Sequence, residues 1–493
     1  MRSVINPQML LDGADIGSIY LDPKSRDDIP QILRGLQHIY TEPALRGRVF
    51  AILQEVLPDR VAGEGKVDAS MGRPGMEQWR ILVLGVLRLG LNADYDRIQE
   101  LANQHSTLRQ MLGHGDWTDK AQYKLQTLKD NLRLFTPELL DRINQEVVGA
   151  GHVLVKKSSP EGLAARCDSF VVETHVHYPT DINLLWDAIR KTVEICAALC
   201  ETHGLGNWRQ SAYNLRQFKK LFRHAQKLKH STSKDESKRQ AKQAAMRQAH
   251  RGYLEQAQLY LERAHDTRDK LKHLVLEVFL GELDAFMQHA ARQIDQIDRR
   301  VLQGQSIAHD EKVLSLFQPH TEWISKGKAG VPVELGLRVC VVEDQHRFIL
   351  RHRVMDKTTD DAIAVSIVEQ TKQRFDTLKS VSMDKAFHSK DNQVKLKEIV
   401  ELVVLPKKGR LCAVDKARQS EAEFVRLRRQ HSAVESAINA LESHGLDVCL
   451  DHGIVGFRRY VALAVVARNI QRLGAVLRQQ EADRIRGPYK KAA

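Results

Sequence analysis

The sequence predicts an α/β protein: a mixed sheet flanked by helices, preceded by an all-α N-terminal domain and interrupted by a large helical insertion. Three observations carry this. Short runs rich in β-branched and aromatic residues, ending on turn formers, recur at CDSFVVETHVHYP, PVELGLRVCVVE, RFILRHRV, SVSM and VELVVLP. Everything before the first run has helical spacing, and so does the long stretch between the first run and the second. A chain of 493 residues allows roughly two to four domains. We divide it into a helical N-terminal domain at 1–150, an α/β core at 160–205 and 319–475, a basic helical insertion at 206–318, and a basic tail at 476–493.

In chain order, MEQWRILVLGVLRLGLNADYDRIQELANQHSTLRQMLG predicts an apolar helix, a break at Gly90 to Asn92, a second helix capped by Asp94, and a third after Ser106. Short helices with tight breaks suit a helix-turn-helix reader of DNA, in which Arg97 and Gln104 could reach a groove; a plain helical packing module has the same pattern. Ser158, Ser159, Pro160 and Gly162 mark a boundary. Asp181 is expected as the N-cap of INLLWDAIRKTVEICAALCETHG, with Asp187 inside that helix, and both have structural explanations. The insertion is expected to bury a stripe that includes Leu259, Leu261, Leu271 and Leu274. Asp344, Gln345 and His346 separate two strands as a hairpin loop, and the helix around Phe457 to Leu473 is apolar enough to pack on the sheet. RIRGPYKKAA reads as a frayed basic tail.

Three acids stand at informative places. Asp168 is expected at the entrance of the first strand, and Asp384 follows SVSM. Glu435 lies in EFVRLRRQHSAVESAINALESHG, where Leu427, Val434, Ile438 and Leu441 form an apolar stripe and Arg428, His431, Glu435, Asn439 and Glu442 a polar one beside it. Carboxylates on two strands and a facing helix can bind a pair of Mg²⁺ or Mn²⁺ ions about 3.5 to 4 Å apart, the arrangement that neutralises the attacking and leaving oxygens of a phosphodiester. Oxygen-only ligands select these hard ions over zinc. With 62 acidic residues in the chain, spacing alone would pick out many such triples.

The surrounding residues are more specific. CDSFVVETHVHYPTDINLLWDAIRK, FQPHTEWISKGKAGVPVELGLRV, SVSMDKAFHSKDN and RRQHSAVESAINALESHGLDVCLDHGIVGFRRYVALAVVARNIQRLG resemble the DDE transposases of bacterial insertion sequences, most closely the ISNCY group. The resemblance implies an RNase H-like catalytic core with Asp168, Asp384 and Glu435 as catalytic residues and ligands of two Mg²⁺ or Mn²⁺ ions. It implies cleavage and strand transfer at element ends, with a homodimer or higher oligomer assembling on the DNA. Some related families carry a Tyr seven residues before the Glu, an Arg four before and a Lys seven after; Arg428, His431 and Glu442 stand there instead, so no hairpin-forming step is carried over. The alternatives are an RNase H-fold nuclease that stops at hydrolysis, and a DNA-binding regulator with an inactive core.

Charge agrees with a polyanionic partner. The formal net charge is +13 and the pI about 9.4. From Arg209 to Arg251 there are 13 Lys and Arg against only Asp235 and Glu236. Lys219, Lys220, Arg223, Lys227 and Lys229 are therefore expected to contact phosphates, a solvated helical face being the plainer reading. Lys385, beside Asp384, could touch a phosphate or be an ordinary solvated Lys, and Trp323 is a candidate for stacking on an unpaired base, a core position being the plainer reading. His175 and His177 would point the same way on a strand, but the oxygen triad does not need them. The six cysteines, Cys167, Cys196, Cys200, Cys340, Cys412 and Cys449, suggest neither a disulfide framework nor a zinc site. MRSVINPQML lacks an apolar signal region and runs such as LAVVA are too short to span a bilayer, so a cytoplasmic, nucleoid-associated protein is expected.

Overall fold

A mixed seven-stranded sheet organises the larger part of the chain. The structure is a computed structural model that describes residues 3–5, 15–56, 75–115, 120–155, 162–228, 232–308, 310–325 and 332–486. The strands are β1 Leu163–Thr174, β2 Glu322–Ser325, β3 Val333–Asp344, β4 Ile349–Met355, β5 Leu378–Met383, β6 Leu402–Val404 and β7 Val448–Cys449. Their order is β2-β3-β1-β5-β6, with β4 also on β3 and β7 on the end of β1. β3 runs antiparallel to β1 and β4 antiparallel to β3, while β5 runs parallel to β1 and β6 to β5. β1, β4 and β5 therefore point the same way. Their carboxyl ends open at one end of the sheet, where ligand sites of α/β folds are built.

Close packing divides the chain into two units, Met1–His175 with Ile324–Ala493, and Val176–Trp323. This differs from the division read from sequence. The N-terminal helices α1 Asp28–Thr41, α2 Pro43–Gln54, α3 Gln78–Gly90, α4 Tyr95–Gln104, α5 Ser106–Met111, α6 Leu125–Leu132 and α7 Pro137–Val155 share one hydrophobic core with the sheet instead of closing on their own. The reason is visible in α3, where all but one residue is buried. A helix apolar all round must be covered all round.

In the second unit, α8 Asp181–Thr202 packs with α9 Ser211–Lys227, α10 Glu236–Leu271 and α11 Glu277–Ile297 around their own core. Phe218 and Tyr253 stack at 4.7 Å, and the Trp208 indole donates to Thr267 Oγ1 at 2.9 Å. Along α10 the buried positions include Tyr253, Leu254, Ala257, Tyr260, Leu261, Ala264 and Leu271, while Leu259, expected inside, is exposed, as is Leu274 in the turn beyond the helix. The aromatic residues set the stripe, and Leu259 falls outside its helical register. Thr180, not Asp181, caps α8: its hydroxyl accepts from the Asn183 N–H at 3.2 Å.

The remaining helices belong to the sheet unit: α12 Asp360–Arg374, α13 Lys390–Ile399, α14 Ala413–Ser420, α15 Ala422–His431, α16 Ala433–Leu441 and α17 Gly453–Arg486. Among the described residues, α17 alone is long and apolar enough to cross a membrane, and 78% of its apolar window is buried in the fold. It crosses α1 backbone against backbone: a Cβ on Gly35 would lie 2.2 Å from the Ile470 carbonyl oxygen, and one on Gly474 would lie 1.9 Å from that of Gln31. Asn469 of α17 bonds Asn144 of α7 and accepts from the Ile349 N–H of β4 at 2.9 Å, which ties three elements together at a buried point. Asp94 caps α4 as expected; α5 begins at Ser106 under the cap of His105. Ser158, Ser159, Pro160 and the final residues 487–493 lie outside the described residues.

Candidate active site

Asp168 is the sixth residue of the twelve in β1, not its first. The strand begins earlier because LAARC alternates buried and half-buried residues against two neighbours at once. Arg166, Asp168 and Phe170 share one face. Opposite them on β3 stand Glu343, Val341 and Val339, and Ser382 of β5 lies opposite Arg166. Continuing the parallel register one step past Cys167 and Met383 sets Asp384 beside Asp168. Asp384 occupies the cap position of the short turn Lys385–Phe387, yet its carboxylate makes no capping bond.

Glu435 comes over this face on a broken helix. The stretch read as one helix is two, α15 and α16, divided at Ser432, whose hydroxyl bonds back to the Arg429 carbonyl at 2.9 Å. Phe424 and Leu427 bury one side of α15, and Val434, Ala437 and Leu441 one side of α16. Glu435 falls on the exposed side. His431 anchors the break: its Nδ1 lies 3.1 Å from Ser382 Oγ, on the same face of β5 as Asp384. Burial holds the imidazole below its usual range, which keeps it neutral near pH 7 despite Asp384 and Glu435 nearby.

Asp168, Asp384 and Glu435 are brought together electrostatically. The Asp168 carboxyl is pushed up to about 6, first by burial and then by the charges of Asp384, Asp360 and Glu435, against one bond from the Ser169 N–H at 2.8 Å. Among the described residues none of the three forms an ion pair with Lys, Arg or His. Other half-buried or buried acids of this unit do: Asp141 with Arg351 and Arg374, Asp451 with Arg88 and Arg459, Asp344 with His152. Carboxylates on one face without a cationic partner repel each other and are the donor set a hard divalent cation satisfies. The chemistry fits such an ion. As placed, no three His, Cys, Asp or Glu side chains among the described residues form a ready cage.

Two neighbours escaped the sequence reading. Arg166 reaches Glu343 at 3.3 Å, but burial outweighs the guanidinium and pushes the Glu343 carboxyl up to about 7. Asp360, the first residue of α12, is buried and acts on Asp168. Its signal is masked by a ready explanation, since TTDDA at a helix start reads as caps and first-turn acids.

The other sequence candidates are dispersed. Lys385 is exposed beside Asp384. Trp323 is half-buried in the second unit, edge-on to Tyr178 at 5.9 Å, and lines a cavity of about 190 Å³ with Tyr178, Asp181, Arg300 and Lys312. β1 ends at Thr174, so His175 and His177 are not strand residues; His177 bonds Asp187 at 2.6 Å, which raises its pKa. On α9, Lys219, Lys220, Arg223 and Lys227 are not buried, while Lys229 lies outside the described residues. Lys219 leans on the Trp186 ring at 5.5 Å. Arg216, Lys220, Arg223 and Lys227 follow one stripe opposite the buried Phe218 and Ala225, without an acidic partner among the described residues. All six cysteines are free. No family profile, no curated protein and no solved structure matches this chain.

Proposed function

We propose that the chain is a DDE-type transposase: a metal-dependent enzyme that cleaves DNA at element ends and joins the freed 3′-hydroxyl to target DNA. The observation that carries the reading is the face shared by Asp168, Asp384 and Glu435, three carboxylates without a cationic partner among the described residues, the first raised by burial and then by neighbouring carboxylates that include the other two. One acid in β1, a second just past the end of the adjacent parallel β5 and a third on a helix above them also support the RNase H-like core that the resemblance implies. Asp168, Asp384 and Glu435 would hold the ions, which when bound neutralise charge on the attacking and leaving oxygens. His431 acts as a positioning residue, keeping α15 against β5 so that Glu435 stays over the two strands. Lys385 offers a cation beside the acids for the scissile strand's phosphates. The α9 stripe supplies sequence-independent phosphate contacts over about 17 Å of helix.

The test uses DNA carrying whatever inverted repeats are found to flank the gene. With Mg²⁺ or Mn²⁺, Asp384→Asn and Glu435→Gln should lose cleavage by about 100-fold or more, since even residues behind metal ligands are worth 10- to 100-fold. End binding in gel shifts should survive. Near-normal cutting by either variant removes that acid from the site. Cleaved ends that never join a target duplex would favour a nuclease that stops at hydrolysis.

A further inference from the structure

We propose that Arg347, Arg468 and Arg472 form a phosphate-binding site at the turn between β3 and β4; that the phosphate belongs to a DNA backbone rests on the proposed function. The turn and α17 are fixed against each other there. Arg472 Nε donates to the His346 carbonyl at 3.0 Å, and Asn469 accepts from the Ile349 N–H at 2.9 Å. Arg468 stands one helical turn before Arg472, on the side of α17 that meets the turn, and Arg347 lies in the turn between His346 and Ile349. The three cations lack a counter-charge. None of them forms an ion pair among the described residues: Glu343 is buried against Arg166 at 3.3 Å, and Asp344 against His152 at 2.6 Å. Arg468 Nη1 donates to the neutral Gln471 Oε1 at 3.2 Å, and Arg468 Nε is buried without a hydrogen-bond partner. Burial holds Arg468 and Arg472 below the ordinary arginine range, and the charge of Arg347 adds to the depression of both.

Arg347 carries a second, independent sign. Its φ is +69°, the left-handed conformation that favours Gly or Asn in a hairpin turn. Its N–H bonds the Asp344 carbonyl at 3.1 Å, and Asp344 Oδ1 accepts from the His346 and Phe348 N–H groups, so the turn is closed without the arginine side chain. Gly would suit this backbone better, and what Arg adds is an exposed guanidinium. The plainer reading, solvated arginines whose stems cover apolar surface, leaves the buried Arg468 Nε and the strained turn unexplained. Converging guanidiniums with unpaired N–H groups suit a compact, multiply charged oxyanion, and their forks match phosphate oxygens in pairs. The turn begins beside Ala165, which precedes Asp168 by about 10 Å of strand, the rise of about three nucleotides of duplex.

The experiment uses the full chain in phosphate-free buffer. Inorganic phosphate is titrated by calorimetry, with thermal melting alongside, and duplex DNA by anisotropy over a range of KCl, for wild type, Arg347→Gly and Arg468→Gln. Wild type should bind phosphate and melt higher with it. Arg347→Gly should melt no lower than wild type, because the strained turn is relieved, yet bind phosphate and duplex about 10-fold more weakly, as expected for one charge-assisted hydrogen bond. Arg468→Gln should weaken both in the same way, and each variant should lower the log–log salt slope for duplex by roughly 0.9. Phosphate binding lost in the variants, with duplex affinity and slope unchanged, supports the site and overturns its DNA source in favour of free phosphate. Binding of both probes by Arg347→Gly equal to that of wild type overturns the site. Asp384→Asn separates the two readings: unimpaired cleavage by that variant overturns the proposed function, while phosphate binding lost in Arg347→Gly leaves this site standing. Should Arg468→Gln fail to fold, Arg347→Gly decides alone.

Discussion

At Asp168, burial and three neighbouring carboxylates push the carboxyl up to about 6, so the folded chain holds this proton more tightly than the unfolded chain does. The stability linked to that proton is present in full below the ordinary carboxylate range and is lost as pH rises through about 6. Asp168→Asn should therefore raise the ion-free melting temperature above pH 6 and change it little at pH 4, with a difference on the order of 2 kcal/mol at 1.36 kcal/mol per pKa unit. Melts across about pH 4 to 8 check this; equal destabilisation at both ends would mean that the carboxylate is held by its bonds and not strained by its neighbours. Strand and helix signals in the sequence locate Asp384 after a strand and Glu435 in a helix, but they misplace Asp168, which lies in mid-strand, and the three acids are singled out only by the resemblance. Asp360 is not legible there, since sequence does not show whether a first-turn acid is buried, and Arg166 and His431 gain their meaning only from cross-strand register with Ser382.

Element by element, α9 combines a core side with a stripe of cations that face solvent. Replacing Arg216, Lys220, Arg223 and Lys227 by Gln should weaken DNA binding without regard to sequence and flatten its salt dependence by roughly 0.9 in log–log slope for each phosphate no longer neutralised. An unchanged slope in binding titrations would make the stripe a solvated face. The crossing of α1 and α17 makes a different prediction: Gly35→Ala would drive a methyl into the Ile470 carbonyl and should cost about 1–3 kcal/mol, read as a lower melting temperature. Wild-type melting would show that the helices can part freely. The strands from Val333 to Val404 could be read from β-branched runs, and the cap of α4 from Asp94. The break at Ser432 could not, because nothing in HSAVE interrupts helical propensity and the bend follows from packing α15 on β5 and α16 on β1. Leu259 misled for a related reason, since aromatic side chains elsewhere on α10 set the buried side, and Leu274 misled because the helix ends before it, at Leu271.

For the whole molecule, the shared core means that residues 1–150 do not make a separable body, so the proposed sequence preference for element ends has to be tested in the intact chain. Arg97 and Gln104 are both exposed on α4. If this helix reads base edges, Arg97→Ala with Gln104→Ala should lower discrimination between end and scrambled duplexes by about 1–3 kcal/mol for each base-edge bond removed and leave non-specific affinity nearly unchanged. Equal discrimination in competition binding moves the reading elsewhere. The clasp between α1 and α17 also sets a schedule for synthesis. Residues 176–323 have a core of their own and can pack once they have left the ribosome, whereas the sheet unit waits for a helix that begins at Gly453. Until then β4, α7 and α3 lack the partner that buries them, and the strands bearing the acids have no fixed support. On the proposed function, a chain that stops short of α17 is unable to cut DNA, and that capacity arrives with this helix.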